Sequence, residues 1–205
     1  SCLGREMRFE LPIISSPMDT ITETEMANAI QSSGGLGIIH RYNTIEAQAD
    51  FVRRIEHDTK AAAIGISGDY LQRARALVDA GANILCLDVA HGHHILMKEA
   101  LEKIKVLYGE DIHIMAGNVA TKEGFEDLAR WGADSIRCNI GGGSICSTRI
   151  QTGHGIPGLH TILECIQADV DRDVSIVADG GMRNSGDIVK ALAAGADFVM
   201  IGSLL

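Results

Sequence analysis

The sequence predicts an α/β protein built as a parallel, eight-stranded (β/α)8 barrel, and three observations carry that expectation. Eight short runs rich in Ile, Val and Leu lack the polar–apolar alternation of a half-exposed strand, as strands buried on both faces do. Seven helically patterned segments fall between them, one to each gap, so the strands are joined by crossovers and run parallel. Three helix-to-strand junctions repeat, at Ala80-Gly81-Ala82-Asn83, Trp131-Gly132-Ala133-Asp134 and Ala194-Gly195-Ala196-Asp197. In each, glycine suits the left-handed residue that ends a helix before the chain turns into the sheet. The recurrence favours a closed barrel of the TIM type over a doubly wound sheet, although spacing alone leaves the second arrangement open.

Taken in order, strand Leu11–Ser15 is followed by helix Thr24–Ser32, and strand Leu36–His40 by helix Thr44–Glu56. Strand Ala62–Ile66 precedes helix Tyr70–Asp79, and strand Ile84–Val89 precedes helix Ile95–Tyr108. Strand Ile112–Ala116 leads into helix Lys122–Arg130, and Ser135–Cys138 into Leu159–Ala168. Strand Ser175–Ala178, helix Ser185–Ala193 and strand Phe198–Ile201 complete the series. Residues 1–205 therefore read as a single barrel domain. The chain stops at Leu205, just after the eighth strand, without the helix that would cover it. Because a bare last strand would expose apolar surface, the sequence reads as a piece of a longer chain.

The 205 residues are 46% hydrophobic and 22% charged, enough for one sizeable core. A net charge of -9 argues against a nucleic-acid partner, whose phosphates call for clustered Lys and Arg. A single nucleotide remains open, since backbone N–H groups and helix N-termini can hold one phosphate. The five cysteines (Cys2, Cys86, Cys138, Cys146, Cys165) include no CxxC pair, which suits reduced thiols in a cytoplasmic protein. No apolar run is long enough to span a membrane and none resembles a secretory segment.

A barrel of this kind places its active site at the C-terminal ends of the strands. Those positions hold Ser16-Pro17-Met18-Asp19, His40-Arg41, Asp88, Asn118, the loop Gly141–Arg149, Asp179-Gly180-Gly181 and Gly202-Ser203. The loop Gly141-Gly142-Gly143-Ser144-Ile145-Cys146-Ser147-Thr148-Arg149 reads either as a flexible Gly–Ser connection or as a phosphate cradle beside a nucleophile. Its convergence with the small residues after strands seven and eight, where barrels commonly hold a phosphate, favours the cradle. Cys146 is then a candidate nucleophile, against the alternative of a small space-filling residue. Asp88 and Asp179 each end an apolar strand, where an acid either accepts sugar hydroxyls or caps the next turn. His91-Gly92-His93-His94 lacks further ligands at metal spacing and reads as a polar loop.

With these segments in hand, the chain resembles the barrel of the IMP dehydrogenase and GMP reductase family over essentially its whole length. The resemblance is carried by Ser15–Thr20, Gly35–His40, Ala116–Val119, Gly143–Arg149, Ala178–Gly181, Ser185–Ile188 and Ile201–Leu205. It implies chemistry at the purine C2 position, with Cys146 adding to that carbon and Thr148 beside it. Ser16, Met18, Asn118 and Ser144 would bind the substrate, together with Asp179, Gly180, Gly181, Gly202 and Ser203. Among these, Asp179 would take the ribose hydroxyls and Asn118 would lie near the purine. Asp88 would face the nicotinamide ribose of NAD. Carbonyls of Gly141, Gly143 and Cys146 would hold a potassium ion, and the assembly would be a homotetramer.

Gly35–His40, Ser185–Lys190 and Ser203 are similar to the dehydrogenase, while Asp88–Ala90 and Ala196–Met200 are similar to the reductase. The expectation is NAD-dependent oxidation of IMP to XMP; the alternative is NADPH-dependent deamination of GMP to IMP. A nucleotide-binding barrel without catalysis and a flavin-dependent barrel are the other classes weighed. The regulatory CBS pair of dehydrogenases has no room at Glu56–Lys60, and the family's catalytic flap would follow Leu205. Departures from the family pattern are Cys138-Asn139 in place of Val-Gly, Gly142 in place of Pro or Ser, and Gly158 in place of Gln.

Overall fold

In the computed structural model the described residues are 1–4, 7–141, 156–171 and 173–205. A two-stranded antiparallel hairpin comes first, β1 (Cys2–Leu3) and β2 (Met7–Arg8). The barrel follows as β3 (Ile13–Ser15), α1 (Thr24–Ser32), β4 (Leu36–Ile39), α2 (Ile45–Arg53), β5 (Ala61–Ile64) and α3 (Tyr70–Asp79). It continues through β6 (Ile84–Asp88), α4 (Ile95–Tyr108), β7 (His113–Val119), α5 (Lys122–Arg130) and β8 (Ser135–Cys138). The series ends with α6 (Gly158–Cys165), β9 (Ser175–Asp179), α7 (Ser185–Ala193) and β10 (Phe198–Ile201). Strands β3 to β10 are all parallel and close into a barrel, with β10 pairing both β9 and β3. The fold is the (β/α)8 barrel expected from the sequence.

Period-two alternation divides the apolar residues into two cores. On β4, Leu36 and Ile38 join an inner cluster while Ile39 faces the helices. On β5, Ala61 and Ala63 point in while Ala62 and Ile64 point out; on β6, Ile84 and Cys86 point in while Leu85 and Leu87 point out. The inner cluster gains Ile14, Met115, Val177, Phe198 and Met200, all fully buried. No helix among the described residues contributes to it, which places it inside the barrel. The outer cluster mixes strand residues with helix faces such as Ala27, Val52, Leu77, Leu101, Leu128 and Ile162.

The hairpin closes the N-terminal mouth, a feature the sequence did not announce because two-residue strands leave no periodicity. Leu3 is fully buried in the inner cluster, and Phe9 meets Phe198 edge-on with ring centroids 5.8 Å apart. Gly4 N–H donates to Ser175 Oγ at 2.9 Å. Beside it His113 Nε2 and Ser135 Oγ are 2.9 Å apart, so the barrel floor is a polar layer whose members partner one another.

The three repeated junctions do two jobs. Gly81, Gly132 and Gly195 have φ of 103°, 112° and 114°, a region in which a side chain would be strained. The residue two places on then holds the preceding strand. Asn83 Oδ1 accepts from Lys60 N, Asp134 Oδ2 from Ile114 N and Asp197 Oδ2 from Ile176 N, each at 2.8 Å. Each junction thus ends a helix and locks the register of two neighbouring strands.

Phe198 is large, fully buried and packed on the hairpin. Phe198→Ala is expected to cost about 3–5 kcal/mol of stability, read from the shift of the denaturant midpoint at constant slope. A loss below about 1 kcal/mol would show that the floor collapses around the gap.

Candidate functional site

The inward parity that fills the barrel also builds its upper mouth. On β6 the inward series Ile84, Cys86 ends at Asp88; on β9 Val177 is followed by Asp179; on β8 Ser135 is followed by Arg137. Three charged side chains therefore share the top interior layer, and they are joined. Arg137 Nη1 donates to Asp88 Oδ1 at 2.5 Å, while Nη2 and Nε donate to Asp179 Oδ2 at 2.8 and 3.2 Å. Burial works against the guanidinium's charge, but Asp179 and then Asp88 hold its pKa well above the ordinary arginine value. Below it lies Cys86, whose Sγ is 3.6 Å from Arg137 Nη1. Burial pushes the Cys86 thiol up to about 12, with Arg137 pulling the other way, so this cysteine stays a thiol at neutral pH.

Neutral donors complete the layer. Asn118 Nδ2 donates to Asp179 Oδ2 at 2.7 Å and to the carbonyl of Asn139 at 2.8 Å. Asn139 Nδ2 in turn donates to the carbonyl of Asp179 at 2.9 Å, while its buried Oδ1 has no partner among the described residues. Asn139 adopts φ 135°, a conformation that favours glycine and that asparagine tolerates better than most residues. Arg41 approaches Asp88 from β4, with Nη2 donating to the Asp88 carbonyl at 3.2 Å and Nε 3.7 Å from Oδ2.

The remaining candidates converge on the β9, β10 and β3 side. Gly180 and Gly181 take φ of 76° and 79°, turning the chain sharply after Asp179, and Gly180 N–H is tied to the Met200 carbonyl at 3.1 Å. A Cβ at Gly202 would stand 3.4 Å from Met18 Sδ and 3.6 Å from Ser16 Oγ, so Gly202, Ser16 and Met18 meet, with Ser203 next in the chain. Thr22, buried, holds the Ser16 turn by donating to the Ser16 carbonyl at 2.6 Å. A cavity of about 290 Å3 opens at Gly180 and Gly181, bordered also by Asn139, Asp179, Arg183 and Lys190. Its size is at the small end of ligand pockets.

Gly141, with φ 74°, is the last described residue before the loop. Gly143, Ser144, Cys146 and Thr148 lie outside the described residues. His93 Nε2 lies 2.8 Å from Asp127 Oδ2, and His94 Nδ1 accepts from Leu96 N at the start of α4. Among the described residues no group of three or more His, Cys, Asp or Glu side chains could hold a metal ion.

Arg137 is the residue that sequence reasoning passed over. Its signal was present: an arginine in a four-residue strand that is otherwise buried needs counter-charges inside the barrel. Asp88 and Asp179 are the acids at that height.

The model of the IMP dehydrogenase / GMP reductase domain matches residues 1–205. The chain belongs to that family. It is 37% identical over 254 residues to the inosine-5'-monophosphate dehydrogenase of Borreliella burgdorferi, covering 98% of this chain and 63% of that protein. The enzyme of the same name from Cryptosporidium parvum is 36% identical over 248 residues, with 99% and 61% covered. A crystal structure of inosine 5' monophosphate dehydrogenase from Legionella pneumophila superposes with a TM-score of 0.90 at 51% identity. That superposition covers 96% of this chain and 59% of the other. The chain thus spans about three fifths of the length of these family members.

Burial of Cys86, Cys138 and Cys165 sets an outcome for thiol chemistry. Iodoacetamide at pH 8 should leave all three unmodified in the native protein and label them after denaturation, read by peptide mass spectrometry. Rapid labelling of Cys86 in the folded state would contradict the closed layer beneath Arg137.

Proposed function

We propose that the protein oxidises IMP to XMP with NAD as hydride acceptor. The observation that carries this reading is the pair of carboxylates at one mouth, Asp88 and Asp179, each ending an inward strand series beside the same guanidinium. Each has an oxygen not held by Arg137, Asp88 Oδ2 and Asp179 Oδ1, and a carboxylate oxygen is the acceptor a ribose hydroxyl needs. Two such acceptors suit a reaction between two nucleotides. The names of the family members in Borreliella burgdorferi, Cryptosporidium parvum and Legionella pneumophila support the dehydrogenase over the reductase.

In this reading Asp179 takes the IMP ribose, and Gly180, Gly181, Gly202, Ser203 and Ser144 surround its phosphate. Backbone N–H groups and hydroxyls there supply donors, and Arg183 and Lys190 border the same cavity. Ser16 and Met18 line the nucleotide and Asn118, anchored on Asp179, faces the purine. Cys146 adds its sulfur to C2, with Thr148 beside the reacting carbon, and water later releases XMP and restores the thiol. NAD, when bound, supplies the acceptor for the hydride that leaves C2, with Asp88 on its ribose. Carbonyls of Gly141, Gly143 and Cys146 would hold a potassium ion. Backbone carbonyl oxygens are donors that can replace the hydration shell of potassium.

The same reading makes residues 1–205 one catalytic barrel, with α2 joined to β5 by the short connection 54–60 and no regulatory domain between them. It also makes the protein a cytoplasmic homotetramer. Among the described residues no helix is long and apolar enough to cross a membrane.

The purified full-length protein given IMP and NAD should form XMP, and given GMP and NADPH should release no ammonia. The reverse pattern would overturn the proposal in favour of the reductase. Cys146→Ala should lower kcat by about 10^3-fold or more while IMP still binds, as loss of a nucleophile does. Turnover retained in that variant would remove Cys146 from the chemistry.

A further inference from the structure

Two carboxylates from different strands stand on one guanidinium, and their side chains are only 14% and 13% exposed. In such a place like charges repel with little screening by water. The groups facing the two acids are not equivalent. Asp88 has a second cation nearby, Arg41, whose Nε is 3.7 Å from Oδ2. Asp179 has Asn118 Nδ2 at 2.7 Å, a donor without charge. Among the described residues, the charge of Asp179 is balanced by Arg137 alone.

We infer that Arg137 is a positioning residue whose one positive charge is shared between the acid of the substrate ribose and the acid of the cofactor ribose. The two nucleotide sites are then one electrostatic unit. This inference rests on the roles proposed above for Asp88 and Asp179. Its consequence is specific. Without the guanidinium, two partly buried acids are left with one cation, Arg41 beside Asp88, and Asp179 loses both its charge partner and its aim. Neutralising Asp88, which does not touch IMP in this reading, removes the repulsion. Asp179 is then a single acid still held by Asn118. A change in the cofactor half therefore repairs the substrate half.

The test is calorimetric binding of IMP alone to the full chain as wild type, Arg137→Gln, Asp88→Asn and the double variant, with a thermal melt of each. Arg137→Gln should weaken IMP about 10–100-fold, the range for losing a charged hydrogen bond, and lower Tm. The double variant should regain about tenfold in affinity over Arg137→Gln and melt higher, as groups in one ion-pair network do. Asp88→Asn alone closes the cycle, and its effect on IMP affinity should be smaller than the gain the same change makes in the Arg137→Gln background. Unchanged affinity in Arg137→Gln would overturn the inference, as would a double variant that binds no better and melts no higher than it. Should Arg137→Gln fail to fold, a folded double variant supports the inference and an unfolded one defeats it. If the wild type itself does not bind IMP, the functional reading falls, and the order of the melts still decides whether Arg137 is the shared counter-ion.

Discussion

A positive charge enclosed in the top layer of a barrel constrains everything around it. Arg137 is 8% exposed at its side chain, and a guanidinium so placed is stable only with carboxylates in contact. Those carboxylates have to come from neighbouring inward positions at the same height. Asp88 and Asp179 meet that condition because β6, β8 and β9 each direct their odd or even members inward in step. A one-residue slip in any of the three strands would turn its charged residue toward the helices. The ion-pair layer of the site therefore depends on strand register.

Register in turn depends on devices far from the mouth. The Gly-Ala-Asn and Gly-Ala-Asp junctions pin the starts of β5, β7 and β9 with a side-chain acceptor on a backbone N–H. The hairpin seals the floor with Leu3 and supplies partners for the polar groups of Ser175 and Phe198's ring face. Between floor and mouth lies a dry layer of Ile, Leu, Met and Val that keeps water from reaching the ion pairs from below. Layering of this sort strengthens each electrostatic contact at the top, because little solvent remains to compete.

The fold was legible because eight apolar runs and their junction glycines repeat one unit, and a repeated unit leaves a periodic trace. Strand limits differed by a few residues, chiefly in β7, which runs on to Val119 past the expected end at Ala116. The hairpin left no trace, being two residues to a strand. Of the site, the terminal acids and glycines were readable as strand ends. The partnership between Asp88, Arg137 and Asp179 was not, since it joins residues 49 and 42 positions apart that only barrel closure brings together. Asn139 was visible as an oddity before the loop, but its bond to the Asp179 carbonyl explains it only in three dimensions.

Membership in the IMP dehydrogenase / GMP reductase family and the paired acids both support the proposal that this mouth holds two nucleotides around a single cation. A crystal structure of the protein with IMP bound tests that account most directly. The ribose hydroxyls should lie on the Asp179 carboxylate, with Arg137 still bridging Asp179 and Asp88. A nucleotide seated away from Asp179, or an Arg137 released from both acids, would contradict it.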